Sequence, residues 1–302
     1  MNFTHLTAFF SVARTGSVTA ASERLHVSQP ALTREIRDLE ERLGVLLFDR
    51  LPRGMKPTEA GRMLAEYAAK IFQLADAAEH AIGEFTGLTR GRLGIATCRT
   101  IGDYLLPAVL HEYRKLYPSI AVDVAVSNTG QVEEAVLSYN QQIGLVEGPY
   151  DARLFDAIVV GRDELIAVAS PSHSLAGMHS LTADDVANAG LVMHETGSGT
   201  RSIIEEAYGQ RSLELSPKLS VASAEAIKQL LRIGGAVAWI SRHSVAEELA
   251  SGTLVQLTVV DLKIERDLNM IWPKARGLSP SARAFHWLAS RMLDSSLEKA
   301  AA

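Results

Sequence analysis

The sequence predicts an α/β protein with three parts: a winged helix-turn-helix head, a long linking helix and a two-lobed body. Three observations predict it. The first sixty residues hold three short amphipathic helical patterns and then a two-strand hairpin pattern. Apolar residues then repeat every 3.5 residues from Leu64 to Phe85. From residue 92 onward strand and helix patterns alternate to the end. The chain has 302 residues, 47% apolar and 22% charged, which excludes a disordered protein and allows more than one core. Its single cysteine, Cys98, excludes an internal disulfide and a cysteine-built zinc site, and fits a reducing compartment. The N-terminal residues lack the basic start and sustained apolar core of a signal peptide. No apolar run approaches membrane-spanning length. A cytoplasmic protein with no membrane partner is expected.

Net charge is -5, but unevenly spread. Residues 1–62 carry nine Lys/Arg against seven Asp/Glu, net +2, which leaves -7 for the rest. A mildly basic head on an acidic body fits a small DNA-binding module joined to something else.

In the head, Leu6, Phe9, Phe10 and Ala13 share one face of a first helix. Thr15-Gly16-Ser17 stops it, and Ser17 caps a second helix lined by Val18, Ala21 and Leu25. After His26-Val27, Ser28 is a good N-cap and Pro30 fits a first helical turn. Leu32, Ile36, Leu39 and Leu43 form the buried stripe of the third helix. Its other side carries Gln29, Thr33, Arg34 and Arg37. Gln pairs bidentately with adenine, Thr touches a thymine methyl, and Arg reaches guanine or phosphate. An ordinary solvated helix face has the same spacing. Two short strands around Leu51-Pro52-Arg53-Gly54 then form a wing, with Arg53 at the tip for a minor groove or phosphate.

Thr58 caps the long helix. Leu64, Ala68, Ile71, Ala75, Ala78, Ile82 and Phe85 make a heptad seam suited to pairing with a second copy. The competing reading is one amphipathic helix packed on its own domain. Gly87 and Thr89-Arg90-Gly91 end it.

The body is read as α/β with parallel sheets. Strands are expected at Leu93–Ala96, Ile120–Val126, Ile143–Val146, Ile158–Gly161, Leu165–Ala169, Leu191–His194, Leu219–Val221, Val237–Ile240, Leu254–Val260 and Leu268–Trp272. Two crossings, near 162–164 and 265–267, suggest two lobes. Ligands bind beyond the C-terminal ends of such strands. The segments there are rich in hydroxyls and helix starts, where N–H groups and the helix dipole receive anions. The candidate binding residues are Thr100, Ile101, Asn128, Thr129, Glu147, Gly148, Ser198, Gly199, Thr200 and Ser223. Ordinary N-capping explains each Ser or Thr taken alone. If Glu147 lines the pocket, it favours a ligand that keeps a proton. A short carboxylate, which lacks that proton at neutral pH, ranks second. No phosphate-loop lysine, three-glycine dinucleotide turn, HExxH or nucleophile elbow is present, so neither an enzyme nor a cofactor or metal is expected. Cys98 at a helix start is a weak candidate for an oxidant-sensing thiol.

The residues Ala20-Ala21, Leu25, Ser28-Gln29-Pro30-Ala31-Leu32-Thr33, Ile36, Leu39-Glu40, Leu43-Gly44, Leu47-Phe48-Asp49-Arg50, Arg53-Gly54 and Thr58-Glu59-Ala60-Gly61 run without a gap. Together they closely resemble the head of LysR-type transcriptional regulators. Pro57 stands where the family usually has Leu. The resemblance implies a DNA-binding regulator that reads a promoter palindrome through Ser28, Gln29, Pro30, Thr33, Arg34, Arg37 and Arg53. It also implies a homodimer through the linker helix, a tetramer through the effector domains, and RNA polymerase as a further partner. The domains on this reading are 1–58, a linker and dimerisation helix at 59–87, and an effector-binding body at 88–302. That body looks like a periplasmic binding protein, with lobe I at about 92–162 and 266–302 and lobe II at about 163–265. Thr100–Pro107, Asn128-Thr129, Gly144–Gly148 and Gly197–Arg201 resemble, more loosely, the subgroup that responds to sulfur or related oxyanions. Gln142 departs from an acidic residue common there. A small anionic effector is therefore expected. A pocket without a ligand and a free-standing anion-binding protein or enzyme are the alternatives.

Overall fold

The computed structural model describes residues 1–51, 54–84, 91–274 and 276–300. They form two compact units, Met1–Ala78 and Glu79–Ala302. Arg53, Phe85, Gly87, Thr89 and Arg90 lie outside the described residues.

The head begins with α1 (Phe3–Thr15), α2 (Val18–Leu25) and α3 (Gln29–Leu43). Asn2, Ser17 and Ser28 each cap the helix that follows, accepting N–H bonds from His5, Ala20 and Ala31. Gly16 and Gly44 end α1 and α3 in the left-handed conformation. His26 takes that conformation too, at φ 54°, which makes the α2–α3 turn tight. Leu6, Phe9, Val12, Ala21, Leu32, Ile36 and Leu39 bury together with Leu47, Phe48 and Ala68. Leu43, expected in this stripe, is instead exposed, because it sits in the last turn beyond the reach of α1 and α2.

The wing is an antiparallel pair, β1 (Phe48–Leu51) and β2 (Gly54–Pro57). Glu40 holds its root by accepting N–H bonds from Leu47 at 2.7 Å and Phe48 at 3.3 Å. The wing also docks on the end of α1, where the Met55 N–H donates to Gly16 O. A Cβ on Gly54 would sit 2.6 Å from that same oxygen, so only glycine fits.

Thr58 caps α4 (Glu59–Glu84), as expected: its hydroxyl accepts from the Gly61 N–H. The seam divides differently. Ala68 is fully buried in the head's own core, with Leu64 and Ile71 packed against it. On the adjacent face Met63, Tyr67 and Leu74 are exposed. At Leu64, Ala68 and Ile71 the structure shows the competing reading, a helix packed on its own domain. A 3.5-residue repeat cannot tell one apolar face from its neighbour when the stripe is wide.

The second unit opens with β3 (Gly91–Cys98), a five-residue π-helical turn (Ile101–Leu105), α5 (Leu106–Leu116), β4 (Ile120–Ser127), α6 (Thr129–Leu137) and β5 (Ile143–Val146). β3 pairs in parallel with β4 and β5. Then β6 (Phe155–Ala169) leads to α7 (Ala183–Asn188), β7 (Val192–His194), α8 (Gly199–Gly209), β8 (Leu219–Val221) and α9 (Ala224–Ile233). After β9 (Val237–Ser241) come a 3-10 turn, α10 (Ala246–Ser251), β10 (Val255–Gln256), β11 (Ile264–Pro273) and α11 (Pro280–Ala300).

The sheets are mixed rather than parallel. β11 runs antiparallel to β5 and β6, and β6 runs antiparallel to β9 and β10. The two expected strands at Ile158–Gly161 and Leu165–Ala169 are one 15-residue strand, β6. Its first half pairs within lobe I and its second half within lobe II. β11 accompanies it antiparallel across the junction, with Arg162 opposite Asp267, Asp163 opposite Arg266 and Glu164 opposite Glu265. Three consecutive charged residues in each strand read as a solvated break. They are paired strand. The expected Leu254–Val260 strand is only the two-residue β10 with an isolated bridge at Val259.

Each lobe has apolar packing on both faces of its sheet. In lobe I, α5 and α11 cover one face through Leu106, Val109, Tyr113, Phe285 and Leu288, and α6 covers the other through Val132 and Val136. In lobe II, Ile204 and Tyr208 of α8 lie on one side, and Ile227 and Leu231 of α9 on the other. Both lobes therefore hold their strand ends rigidly toward the junction. No helix among the described residues is long and apolar enough to cross a membrane.

Candidate functional site

The DNA-reading candidates of the head lie where α3 begins. Ser28 is spent on the cap, which fixes the start of the helix. Gln29, Pro30, Thr33, Arg34 and Arg37 are all exposed. Gln29, Thr33 and Arg37 are spaced by four, so they advance along one face. The two arginines differ. Arg37 is bonded to Glu41 at 3.0 Å, whereas Arg34 lies 3.8 Å from Asp38 with its side chain 79% exposed. Arg34 is thus the freer cation of the pair.

In the body, the strand ends of both lobes converge on one pocket. Its lining comprises Cys98, Arg99, Thr100, Ser127, Asn128, Thr129, Glu147, His194, Ser198, Gly199, Thr200, Ala222 and Ala224. Seven of the ten sequence candidates belong to this lining. Ile101, Gly148 and Ser223 do not. Ile101 is buried in the core of lobe I. Ser223 caps α9 through the Ala226 N–H. Gly148 meets Gly199 from the other lobe so closely that a Cβ on it would lie 2.5 Å from the Gly199 Cα. These two glycines let the lobes touch at the edge of the pocket.

Capping separates the hydroxyls. Asn128 accepts from the Gln131 N–H in a capping box, so its carbonyl oxygen is committed to α6. Thr100 and Ser198 start their helical segments without a side-chain cap bond. The first N–H groups of α8 are therefore open, beside Gly199 and Thr200.

Behind these residues stands Arg266, which sequence reasoning missed. It is buried in the junction. Its Nε and Nη2 donate to Asp163 Oδ2 at 2.8 and 2.6 Å. Nη1 donates to Thr200 Oγ1 and Glu147 O, and Nη2 also to Thr100 Oγ1. A guanidinium has five N–H donors, and all five are used. Arg266 therefore has nothing left for a ligand. It orients the hydroxyls instead: Thr100 and Thr200 each accept from it, so their own protons point elsewhere. Asp163 cancels its charge and is itself held by the Ser241 hydroxyl at 2.9 Å.

Two other polar groups were missed. His194 ends β7, is buried, and its Nε2 has no hydrogen-bond partner. Burial, with Arg266 and Arg99 nearby, pushes its pKa down to about 4, so it is neutral near pH 7. Arg99 pairs with Glu195 at 2.5 Å, joining the end of β3 in lobe I to the end of β7 in lobe II. Glu147 is buried with its Oε2 unpartnered, 3.7 Å from Arg266 Nη2. Burial pushes its pKa up against the pull of Arg266, and Asp163 adds to the rise.

The Cys98 reading changes with the structure. The thiol is buried against the Thr129 hydroxyl at 3.3 Å. Burial and the charge of Glu147 push its pKa up to about 12, so it is not a ready thiolate. Among the described residues, no group of three His, Cys, Asp or Glu is placed to hold a metal.

Residues 86–293 match the LysR substrate binding domain, and residues 3–62 match the bacterial regulatory helix-turn-helix proteins of the lysR family. The chain belongs to the LysR family. This LysR-family chain is a DNA-binding transcriptional regulator with an effector-binding domain. It is 33% identical to the uncharacterized HTH-type transcriptional regulator YeiE of Escherichia coli K12, over 93% of this chain and 94% of that one. It is 30% identical to the HTH-type transcriptional activator CmpR of Synechocystis, over 92% and 91%. Its fold is that of full-length CbnR, solved in complex with its target DNA, with TM-score 0.69 and 22% identity over 97% of this chain and all of that one. The two-lobed LysR architecture accounts for the paired crossing strands and for the pocket between the lobes.

Proposed function

We propose that this regulator senses a small oxyanion of sulfur or phosphorus in the cleft of its effector domain and converts its binding into a changed grip on a promoter palindrome. The observation that carries the reading is the uncapped start of α8, with Ser198 and Thr200 facing Thr100 across a cavity of only about 20 Å3. That is room for little more than one water-sized group before the lobes part. An ion of a few atoms needs a small opening, whereas an aromatic effector needs a large one. The body is net acidic, so local N–H and O–H donors rather than bulk charge must hold the anion. Thr100, Asn128, Thr129, Ser198, Gly199 and Thr200 are its contacts on this reading.

On the DNA side, Gln29 and Thr33 read base edges, Arg34 reaches guanine or phosphate, and Arg53 is the wing contact. Homodimers form through the exposed Met63, Tyr67 and Leu74 face of α4, and effector domains join dimers into tetramers. The anion shifts the balance between open and closed lobes, and with it the spacing of two heads on the operator.

Footprinting of the adjoining promoter, with and without sulfate, sulfite, phosphate, phosphite and acetate, tests this. One oxyanion should change the protected pattern saturably while the core palindrome stays covered. A pattern that ignores all five anions would contradict the reading.

A further inference from the structure

The pocket contains two buried polar atoms with no hydrogen-bond partner, Glu147 Oε2 and His194 Nε2. Glu147 is 4% exposed and His194 7%. Such atoms are costly unless a ligand or proton completes them. Both lie in one lining, together with the uncapped hydroxyls.

The charges around Glu147 fix what can complete it. Arg266 of β11 carries one positive charge, and Asp163 of β6 holds it through two bonds. Arg99, at the end of β3, is held by Glu195 beyond β7. His194 of β7 is neutral near pH 7, and Cys98 of β3 keeps its proton. Both arginines are thus balanced before Glu147 is considered. An ionised Glu147 leaves the pocket with one uncompensated negative charge. An anion entering beside it adds a second charge in a site of low dielectric.

We propose that the cleft takes up one proton with each anion, shared between Glu147 Oε2 and an oxygen of the ligand. The proposal rests on the oxyanion reading of the pocket. The proton comes from solvent and removes the charge conflict. It also turns the unpartnered Oε2 into one end of a short, charge-assisted hydrogen bond. Glu147 is already drawn toward its protonated form by burial. His194 stays neutral and donates or accepts at Nε2 without changing charge. The ligand class follows: an oxyanion with an oxygen free to carry or receive that proton, in preference to one whose oxygens are all esterified.

The test is titration calorimetry of the full chain with sulfate, sulfite, phosphate, phosphite and acetate between about pH 6 and pH 9, in buffers of different ionisation heat. Sulfate stays a dianion throughout this range, so any proton taken up with it is taken by the protein. The expected result is uptake approaching one proton per bound sulfate. Affinity should fall about tenfold per pH unit at the alkaline end, because the bound state holds the extra proton. Glu147→Gln, neutral at every pH, should bind sulfate with pH-independent affinity, and His194→Gln should keep the proton uptake. Saturable binding by the wild type with flat pH dependence and no proton uptake overturns the proposal and leaves the oxyanion reading standing. Uptake lost in His194→Gln but kept in Glu147→Gln overturns the assignment to Glu147. If none of the five anions binds, the oxyanion reading itself falls. The wild-type measurement decides these outcomes even if a variant fails to fold.

Discussion

The reading face of α3 and the pocket of the effector domain are assembled in opposite ways. On α3, Gln29, Thr33, Arg34 and Arg37 come from one helix, are exposed, and keep only loose partners. In the pocket, Thr100, Glu147, His194, Ser198 and Thr200 come from several segments of both lobes, and the buried Arg266 of β11 bonds Thr100, Thr200 and the Glu147 carbonyl among them. The first can be altered one residue at a time, because water replaces each lost contact. The second is coupled: removing one charge strands another. The difference predicts which changes cost stability and which cost only recognition.

Asp163→Ala should have the largest effect. It removes the carboxylate that takes two of the Arg266 bonds and leaves the buried guanidinium only Glu147 at 3.7 Å, a loss of up to about 3–5 kcal/mol. Chemical denaturation followed by Trp239 fluorescence in lobe II should show the body unfolding at much lower denaturant. Unchanged stability would mean that water already reaches Arg266 and that the pocket is not a coupled unit.

The linker helix gives the next contrast. Ile71 packs on the head's own core, whereas Leu74 is 47% exposed. Ile71→Lys should destabilise the head by roughly 2–4 kcal/mol, on the scale of losing a buried apolar side chain. Leu74→Lys should leave head stability unchanged and weaken the dimer. Light scattering with thermal melting separates the two. A dimer broken by Ile71→Lys with the head intact would restore the heptad seam as the interface.

Gln29→Ala should cost about 1–3 kcal/mol on the cognate operator and relax sequence preference at one position. Arg34→Ala should weaken binding more than Arg37→Ala, since Glu41 already occupies Arg37. Anisotropy titrations over a range of salt concentrations measure both. Equal losses for the two arginines would show that the Arg37–Glu41 pair opens on DNA.

How far the sequence was legible follows the same division. Caps at Ser17, Ser28 and Thr58 and the apolar spacing of α1 to α3 are local signals, so the head could be read almost element by element. Asn128 and Ser223 were legible as helix starts, with ordinary capping the competing use of such a serine, but whether their oxygens are committed was not. That depends on which N–H each one meets. Arg266 was hidden in Ile264-Glu265-Arg266-Asp267-Leu268, where alternating charge looks solvent-facing. Only its register opposite Asp163 shows that the charge points inward. His194 was illegible for a related reason. A histidine at the end of an apolar strand looks like any half-buried residue until both lobes close around it.

A smaller effect concerns acid. With His194 held near pKa 4 in the folded body and about 6.5 when unfolded, the unfolded chain binds the extra proton between those values. This contribution is fully present above about pH 6.5 and is lost as pH falls toward 4. Melting temperatures across that window should drop less steeply in His194→Gln than in the wild type. Glu147, raised in the folded state, acts in the opposite sense. The difference between variant and wild type, rather than the overall slope, is therefore the readout. Identical slopes would show that His194 is solvated.

The most direct test of the pocket is calorimetry of the wild type, Thr100→Val and Ser198→Ala against sulfate, sulfite, phosphate, phosphite and acetate near neutral pH. Saturable binding of a sulfur or phosphorus oxyanion by the wild type, weakened about tenfold or more by each substitution, is the predicted result. Binding untouched by either substitution, or preference for a bulky neutral or aromatic compound, would contradict it.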